Sequence, residues 1–254
     1  MKNRDIRYIP FTFPGIANVR CAFQTRRGGM SAGPYGGGNI AFNTGDDPAC
    51  VAANRASLRR ILGLGSVAEL EQVHGDDIIF EPAPTSWEIA PHAGGTGKGD
   101  GLATRRRGLA LLIRTADCQP LLLAHGSGDY IAALHVGWRG NRRSFPVSGV
   151  RRFCRQYGLE PGEVLAVRGP SLSPPRTEFV NFDAEWGPSF RRWFEPASAT
   201  MDLWGLTRSQ LLEAGLTERH IYSIDLCTAG NNDLFFSYRA EKTCGRQASL
   251  IWIG

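Results

Sequence analysis

The stretch TADCQPLLLAHGSGDYIAALHVGWRG, residues 115–140, constrains the fold more than any other part of the chain. It holds two apolar runs, 121–124 and 130–134, separated by Gly126-Ser127-Gly128-Asp129. Apolar runs around a Gly/Ser/Asp turn read as a β-hairpin. Placing His125 opposite Tyr130 sets Pro120 opposite His135, with Cys118 diagonal to His135. Side chains alternate faces along a strand, so Cys118 and His135 share one. Diagonal cross-strand neighbours lie roughly 7–8 Å apart at Cα and closer at their side chains. A thiolate and an imidazole so placed can share a metal ion or a proton. For the pair alone, a buried Cys packed beside a hydrogen-bonded His is the favoured reading. The flanks, Asp117 on one side and Trp138-Arg139-Gly140 on the other, are expensive groups to place in a plain core.

Composition sets the outer bounds. The 254 residues suit one large domain or two small ones, and a hydrophobic fraction of 42% supports a sizeable core. The net charge is +5, with basic residues scattered or in short clusters such as Arg105-Arg106-Arg107. That favours a small anionic substrate or simple solubility over nucleic-acid binding. The N-terminus MKNRDIRYIP lacks the apolar core of a signal peptide, and no apolar run reaches membrane-spanning length. Six dispersed cysteines without CxxC pairs point to reduced thiols, hence a cytoplasmic protein without membrane partners.

Elsewhere, residues 19–24 read as a strand leading into Thr25-Arg26-Arg27-Gly28-Gly29, a mobile loop able to offer guanidinium and N–H groups to an anion. An ordinary solvated loop fits that stretch as well. Residues 39–43 resemble a short strand. Asp46 or Asp47 caps a helix through VAANRASLRRIL, which Gly63 stops. Residues 70–75 read as a strand with Gln72 and His74 on one face. Residues 81–99 read as a loop with His92 solvated. Asp100, flanked by glycines, either makes a turn or orients a ligand or a His. Further strands are expected at 99–104, 109–113, 164–167, 221–224 and 248–253, and helices at 149–157 and 202–214. Residues 190–194 fit a short aromatic helix or a loop. With no repeat and no clean linker, residues 1–254 read as one α+β domain, a mixed β-sheet core flanked by helices.

With these pieces in place the sequence resembles the YfiH family, described both as laccase-domain or polyphenol oxidase proteins and as purine nucleoside phosphorylases. The matching blocks are TRRGGMSAGPY, TGDDP, QVHG, GDGLAT, TADCQPLLL, HVGWRG, CT…FFSYR and GRQASLIWI. The resemblance implies a Zn²⁺ held by His74, Cys118 and His135, with copper the alternative metal. Three N/S ligands leave a fourth position open, the pattern of a catalytic zinc. It also implies phosphorolysis of adenosine, inosine, guanosine and methylthioadenosine, with adenosine deamination as a second activity. Purine nucleosides and phosphate would then be the partners of a monomer or small homo-oligomer. The chain departs from the family at GNIAFNTG, at Arg168 before Gly-Pro-Ser, and at Pro175-Arg176-Thr177-Glu178-Phe179. These departures bear on substrate preference more than on the metal.

On that reading His74, Cys118, His135 and Asp117 form the catalytic set, with Asp117 positioning a ligand or moving a proton. Arg26, Arg27, Gln72 and Arg139 are the substrate-binding candidates, the arginines for phosphate. Two other enzyme classes compete. A copper-dependent polyphenol oxidase would need several coppers and many His, whereas the chain has five and no His-x-His pair. A cysteine hydrolase would use Cys118 as nucleophile and His135 as base. A non-catalytic binding module is the plainest alternative.

Overall fold

The computed structural model describes residues 5–88 and 97–254; His92 lies outside the described residues. In chain order the strands are β1 (Tyr8–Phe11), β2 (Val19–Gln24), β3 (Ser66–Ala68), β4 (Ile78–Phe80), β5 (Gly101–Thr104), β6 (Leu109–Thr115), β7 (Gln119–His125), β8 (Ile131–Val136), β9 (Val164–Arg168), β10 (Phe194–Glu195), β11 (Thr200–Met201), β12 (Ile221–Ser223) and β13 (Gln247–Ile253). The helices are α1 (Pro48–Leu62), α2 (Trp138–Arg142), α3 (Phe145–Tyr157), α4 (Phe182–Glu185) and α5 (Leu203–Glu213).

The α+β class holds, and its core divides between two mixed sheets. One has the order β1-β2-β13-β6-β3 and the other β12-β9-β7-β8-β5-β4. Alternation along β7 explains the layering. Leu122 and Ala124 enter the core shared with Leu111, Ile113 and Ile251 of the first sheet. Leu121 and Leu123 point the other way, onto Phe145, Val150 and Phe153 of α3 and Leu211 of α5. The first sheet's outer face, with Leu112 and Leu250, is covered by Leu58 and Leu62 of α1. Both faces of the central strands are therefore buried, so they read as unbroken apolar runs rather than alternating ones.

The hairpin register is the one the turn composition implies: Pro120 pairs with His135, and Gln119 with Val136. Helix α1 begins and ends where its caps predict. The Asp47 side chain accepts from the Ala49 N–H, and Gly63 adopts φ 63° at the C-terminus, a conformation glycine enters without a Cβ penalty. Helix α3 starts earlier than its apolar stripe suggests, at Phe145-Pro146, because Pro suits a first helical turn. The segment 190–194 lies mostly within a 3-10 helix, Pro188–Trp193.

Two expected strands are absent. Residues 39–41 are irregular and lead into a 3-10 turn, Phe42–Thr44. The Asn39 amide takes over the bonding there: its Oδ1 accepts from Ala41 and Arg246 N–H, and its Nδ2 reaches Asp46. Residues 72–77 form a loop, in which His74 has φ 58°. Asp100 supplies the reason, as described next.

Sheet-to-sheet crossings bring the chemistry together. The connections β3 to β4, β6 to β7 and β12 to β13 each pass from one sheet to the other. All three do so at one end of the sandwich, because β13 starts where β6 ends and β5 starts where β8 ends. The QVHG loop, the TADC turn and the segment 224–246 therefore converge.

Candidate metal centre and cavity

Cys118 sits in the turn between Thr115 and Gln119, just before β7. His135 is the penultimate residue of β8, 3% exposed. His74 arrives on the loop before β4. Their ligating atoms all lie within 4.8 Å of one another, the only such His/Cys/Asp/Glu group of three or more among the described residues. His74 Nε2 is 3.9 Å from Cys118 Sγ, and the two imidazoles meet edge to face at 4.9 Å between centroids.

Asp100 organises two of the three ligands. Fully buried, its carboxylate accepts N–H groups from Val73 at 3.2 Å, His74 at 3.0 Å and Gly75 at 2.6 Å. This wraps the QVHG loop around one anion and bends it out of strand geometry. Oδ1 also lies 2.7 Å from His135 Nδ1. That contact leaves Nε2 of His135 as the ligating atom and fixes the ring, the usual second partner of a metal-binding His. Burial works against the Asp100 charge, but the bonds from His135, Gly75 and Val73 outweigh it and keep its pKa below the ordinary carboxylate value. Asp100→Asn would turn an NH₂ toward these donors. The expected result is a roughly 10- to 100-fold loss of metal affinity, read by competition with a chromophoric chelator. Unchanged affinity would reduce Asp100 to a loop support.

Cys118 and His135 perturb each other. Burial raises the thiol pKa, but the His135 charge and hydrogen bonds from both histidines lower it further and hold the group toward thiolate. Burial disfavours charged His135, while the Cys118 and Asp100 charges raise its pKa. The space beside them is tight. A Cβ on Gly137 would come within 3.1 Å of Cys118 Sγ and 3.2 Å of His74 Cδ2, so only glycine lets the chain pass.

The donor set fits a metal ion. Tetrahedral Zn²⁺ bonded at about 2.0–2.3 Å separates its ligand atoms by roughly 3.3–3.6 Å. The observed spacings need only small side-chain shifts. One thiolate and two imidazoles suit a borderline metal such as zinc.

The cluster opens into a cavity of about 510 Å³, within the size range of small-molecule sites. Its apolar lining includes Trp138, Leu172, Phe179 and Leu203. Trp138, Phe179 and Trp186 meet edge to face or tilted, at 5.3–5.9 Å between centroids. Its cationic lining is Arg114, Arg139, Arg239 and Arg246. Two buried atoms of lining residues, Thr115 Oγ1 and Gln119 Oε1, have no hydrogen-bond partner among the described residues.

The remaining candidates separate. Gln72 and Arg139 line the cavity, but the Gln72 amide is occupied: its Nε2 donates to Arg114 O and its Oε1 accepts from Arg114 N–H. Arg139 stacks on Trp138 at 4.3 Å. Asp117 reaches the cavity, yet its carboxylate accepts from Thr228, Ser237 and the Arg239 N–H, a bonding set that pins the 224–246 segment to the TADC turn. Arg26 and Arg27 do not line the cavity. Arg26 lies on Phe236 and bonds Asn232 O and Glu241, and Arg27 pairs with Asp233. Their loop is tied down, since buried Asn54 bonds Met30 N–H, Ser31 and the carbonyls of Gly37 and Asn39. The sequence reading left Asp100 open and passed over Arg114, Arg239 and Arg246. The glycines around Asp100 were its visible signal; the arginines had none.

Of the departing segments, Thr177 and Phe179 form part of the wall, and Asn43 lines the cavity. Arg168 lies behind it, paired with Asp225, stacked on Trp204 at 4.2 Å and bonded to Ser171.

A three-donor N/S centre at the seam of a two-sheet sandwich, facing a cationic cavity, defines a class of small-molecule metal site. The family profile described as multi-copper polyphenol oxidoreductase laccase matches residues 20–254, and the chain belongs to that family, the YfiH family. It is 34% identical over 243 residues to a purine nucleoside phosphorylase of Corynebacterium glutamicum, covering 92% of this chain and 94% of that protein. It is 31% identical to the purine nucleoside phosphorylase YfiH of Escherichia coli K12, with 95% and 96% covered. Among solved structures, a Neisseria meningitidis protein superposes with TM-score 0.82 at 31% identity, with 97% and 98% covered. The YfiH protein of Bacillus licheniformis gives 0.83 at 25% identity, with 100% and 98% covered.

Proposed function

We propose that this protein is a zinc-dependent purine nucleoside phosphorylase acting on adenosine, inosine, guanosine and methylthioadenosine, with adenosine deamination as a second activity. One observation carries the reading: the His74–Cys118–His135 cluster opens onto a cavity lined by both aromatic and aliphatic side chains and four arginines. The family description names copper, but this cluster offers ligands for a single ion. A base fits against Trp138 and Phe179, where aromatic faces favour stacked or edge contacts. Phosphate suits the cavity arginines, to which exposed Arg139, lying on Trp138, adds charge.

Bound to His74, Cys118 and His135, Zn²⁺ would supply Lewis acidity at an open coordination position. The chain's own groups do the rest. Asp100 holds His135, Asp117 holds the 224–246 segment, and the arginines neutralise phosphate and orient it toward the anomeric carbon. In phosphorolysis a phosphate oxygen bonds that carbon as the bond from base to sugar breaks. The electron pair leaves with the purine, which takes up a proton.

The same Cys118–His135 pair also suits a cysteine hydrolase, because the thiol is already biased toward thiolate. Such a hydrolase keeps its activity under chelation, which separates the two readings. The six free cysteines suit a reducing cytoplasm, and we read residues 1–254 as one unit.

The test is product analysis on metal-quantified protein. Adenosine alone should give inosine and no free adenine; added phosphate should give adenine and ribose 1-phosphate. Arg139→Ala should depress the phosphate-dependent product more than the other, by about 10²-fold if its contact forms in the transition state. No turnover of any purine nucleoside by fully metallated protein would overturn the reading.

A further inference from the structure

The cavity arginines differ in what already neutralises them. Arg239 lies 3.6 Å from the Glu178 carboxylate and Arg114 lies 3.6 Å from that of Glu69. Arg246 has no carboxylate within ion-pair distance among the described residues. Its Nη1 instead donates to the carbonyls of Cys244 and Gly245, both at 2.9 Å, and approaches Cys244 Sγ at 3.5 Å. These contacts fix the guanidinium without cancelling its charge.

Strand register places a second positive charge beside it. Ala248 pairs with Arg114 and Gln247 with Thr115. Arg246 stands just ahead of β13, two residues before Ala248, and lines the same cavity as Arg114, on which its charge acts. Arg114 is braced from behind, where Nη2 donates to Leu70 O at 2.9 Å and Gln72 clamps its backbone. Burial pushes the Arg114 pKa down; Glu69 opposes this, while Arg55 and Arg246 add to it. Two guanidinium groups lining one cavity favour an anion there, because each lowers the cost of binding negative charge. Among the described residues the single carboxylate lining the cavity, Asp117, is occupied by three donors.

We infer that Arg246 and Arg114 form the seat for a tetrahedral oxyanion at the β6–β13 end of the cavity. Inorganic phosphate is the occupant that the phosphorylase reading supplies, and the inference rests on that reading for this identity. A phosphoryl group carried on a nucleoside has the same charge and geometry. The seat belongs to the sandwich, since Arg114 lies on β6 and Arg246 immediately precedes β13, whereas Arg26 and Arg27 do not line the cavity.

Phenylglyoxal modification of the intact wild-type protein, mapped by mass spectrometry, tests this without any substitution. Arg246 should react when the protein is alone, and inorganic phosphate should protect it while sulfonate buffer does not. Protection by adenosine 5′-monophosphate but not by phosphate would keep the seat, assign it a substrate-borne phosphoryl group and sink phosphorolysis. Protection by neither would overturn the seat. In kinetics, Arg246→Gln should raise KM for phosphate roughly 10- to 100-fold more than KM for the nucleoside, the loss expected for a charge-assisted hydrogen bond. Arg246→Lys should recover part of it. Equal rises in both constants, with native circular dichroism, would overturn the inference and leave the phosphorylase reading standing. Phosphate protection of Arg246 in a protein that turns over no nucleoside would do the reverse.

Discussion

Cys118→Ala protein is expected to purify without bound metal and without activity, and the wild type with about one zinc per chain. The thiolate is the single soft donor of the cluster, and the two remaining imidazoles hold a zinc ion poorly. Losing the Lewis acid removes several kcal/mol of charge stabilisation, which corresponds to on the order of 10³-fold or more in kcat/KM. The fold should survive, because Cys118 lies in a turn at the cavity edge and its side chain is not part of the apolar clusters. Atomic spectroscopy on the purified variant, with circular dichroism as the fold control, reads the result. Stoichiometric zinc in the variant would remove Cys118 from the site. Full activity of wild-type protein after exhaustive chelation would favour the cysteine hydrolase instead.

The largest loss of stability is expected from Glu69→Ala. Arg55 is fully buried and its guanidinium is held by both Glu69 oxygens, at 2.5 and 3.1 Å, with Ile40 O and Trp87 O taking further bonds. Removing the carboxylate strands a buried cation, which costs about 3–5 kcal/mol. Replacing Arg55 and Glu69 together with apolar residues should cost less than the single change, since the desolvation penalty leaves with the pair. Urea unfolding of the three proteins decides it, and a loss under about 1 kcal/mol for Glu69→Ala would show that the carbonyls alone satisfy Arg55. Glu69 also faces Arg114 at 3.6 Å. The same variant should therefore make the cavity more positive and change its phosphate dependence.

Local pattern determined the hairpin, the α1 caps, most strand positions and the α+β class. Each rests on information within a few residues: the Gly-rich turn before Tyr130, Asp47 and Gly63 around a helical stripe, and apolar runs long enough to be buried on both faces. The pairing of Cys118 with His135 was legible for the same reason, because strand parity is local once the turn is placed. The resemblance added His74, whose position no local pattern fixes.

Tertiary structure decided the rest, because it depends on which sheet each strand joins. Alternation put Gln72 and His74 on a strand, but the buried Asp100 carboxylate draws three successive N–H groups of that loop and bends it. The carboxylate pulls harder than a strand edge, since an unpaired buried anion is far costlier than a lost ladder bond. Arg26 and Arg27 looked free in sequence, yet Glu241 and Asp233, more than two hundred residues away, neutralise them. Arg246 looked like one basic residue among many. Only the pairing of β13, which it precedes, with β6 brings it into the cavity that Arg114 lines, and side-chain charge carries no record of its distant neighbours until the strands have paired.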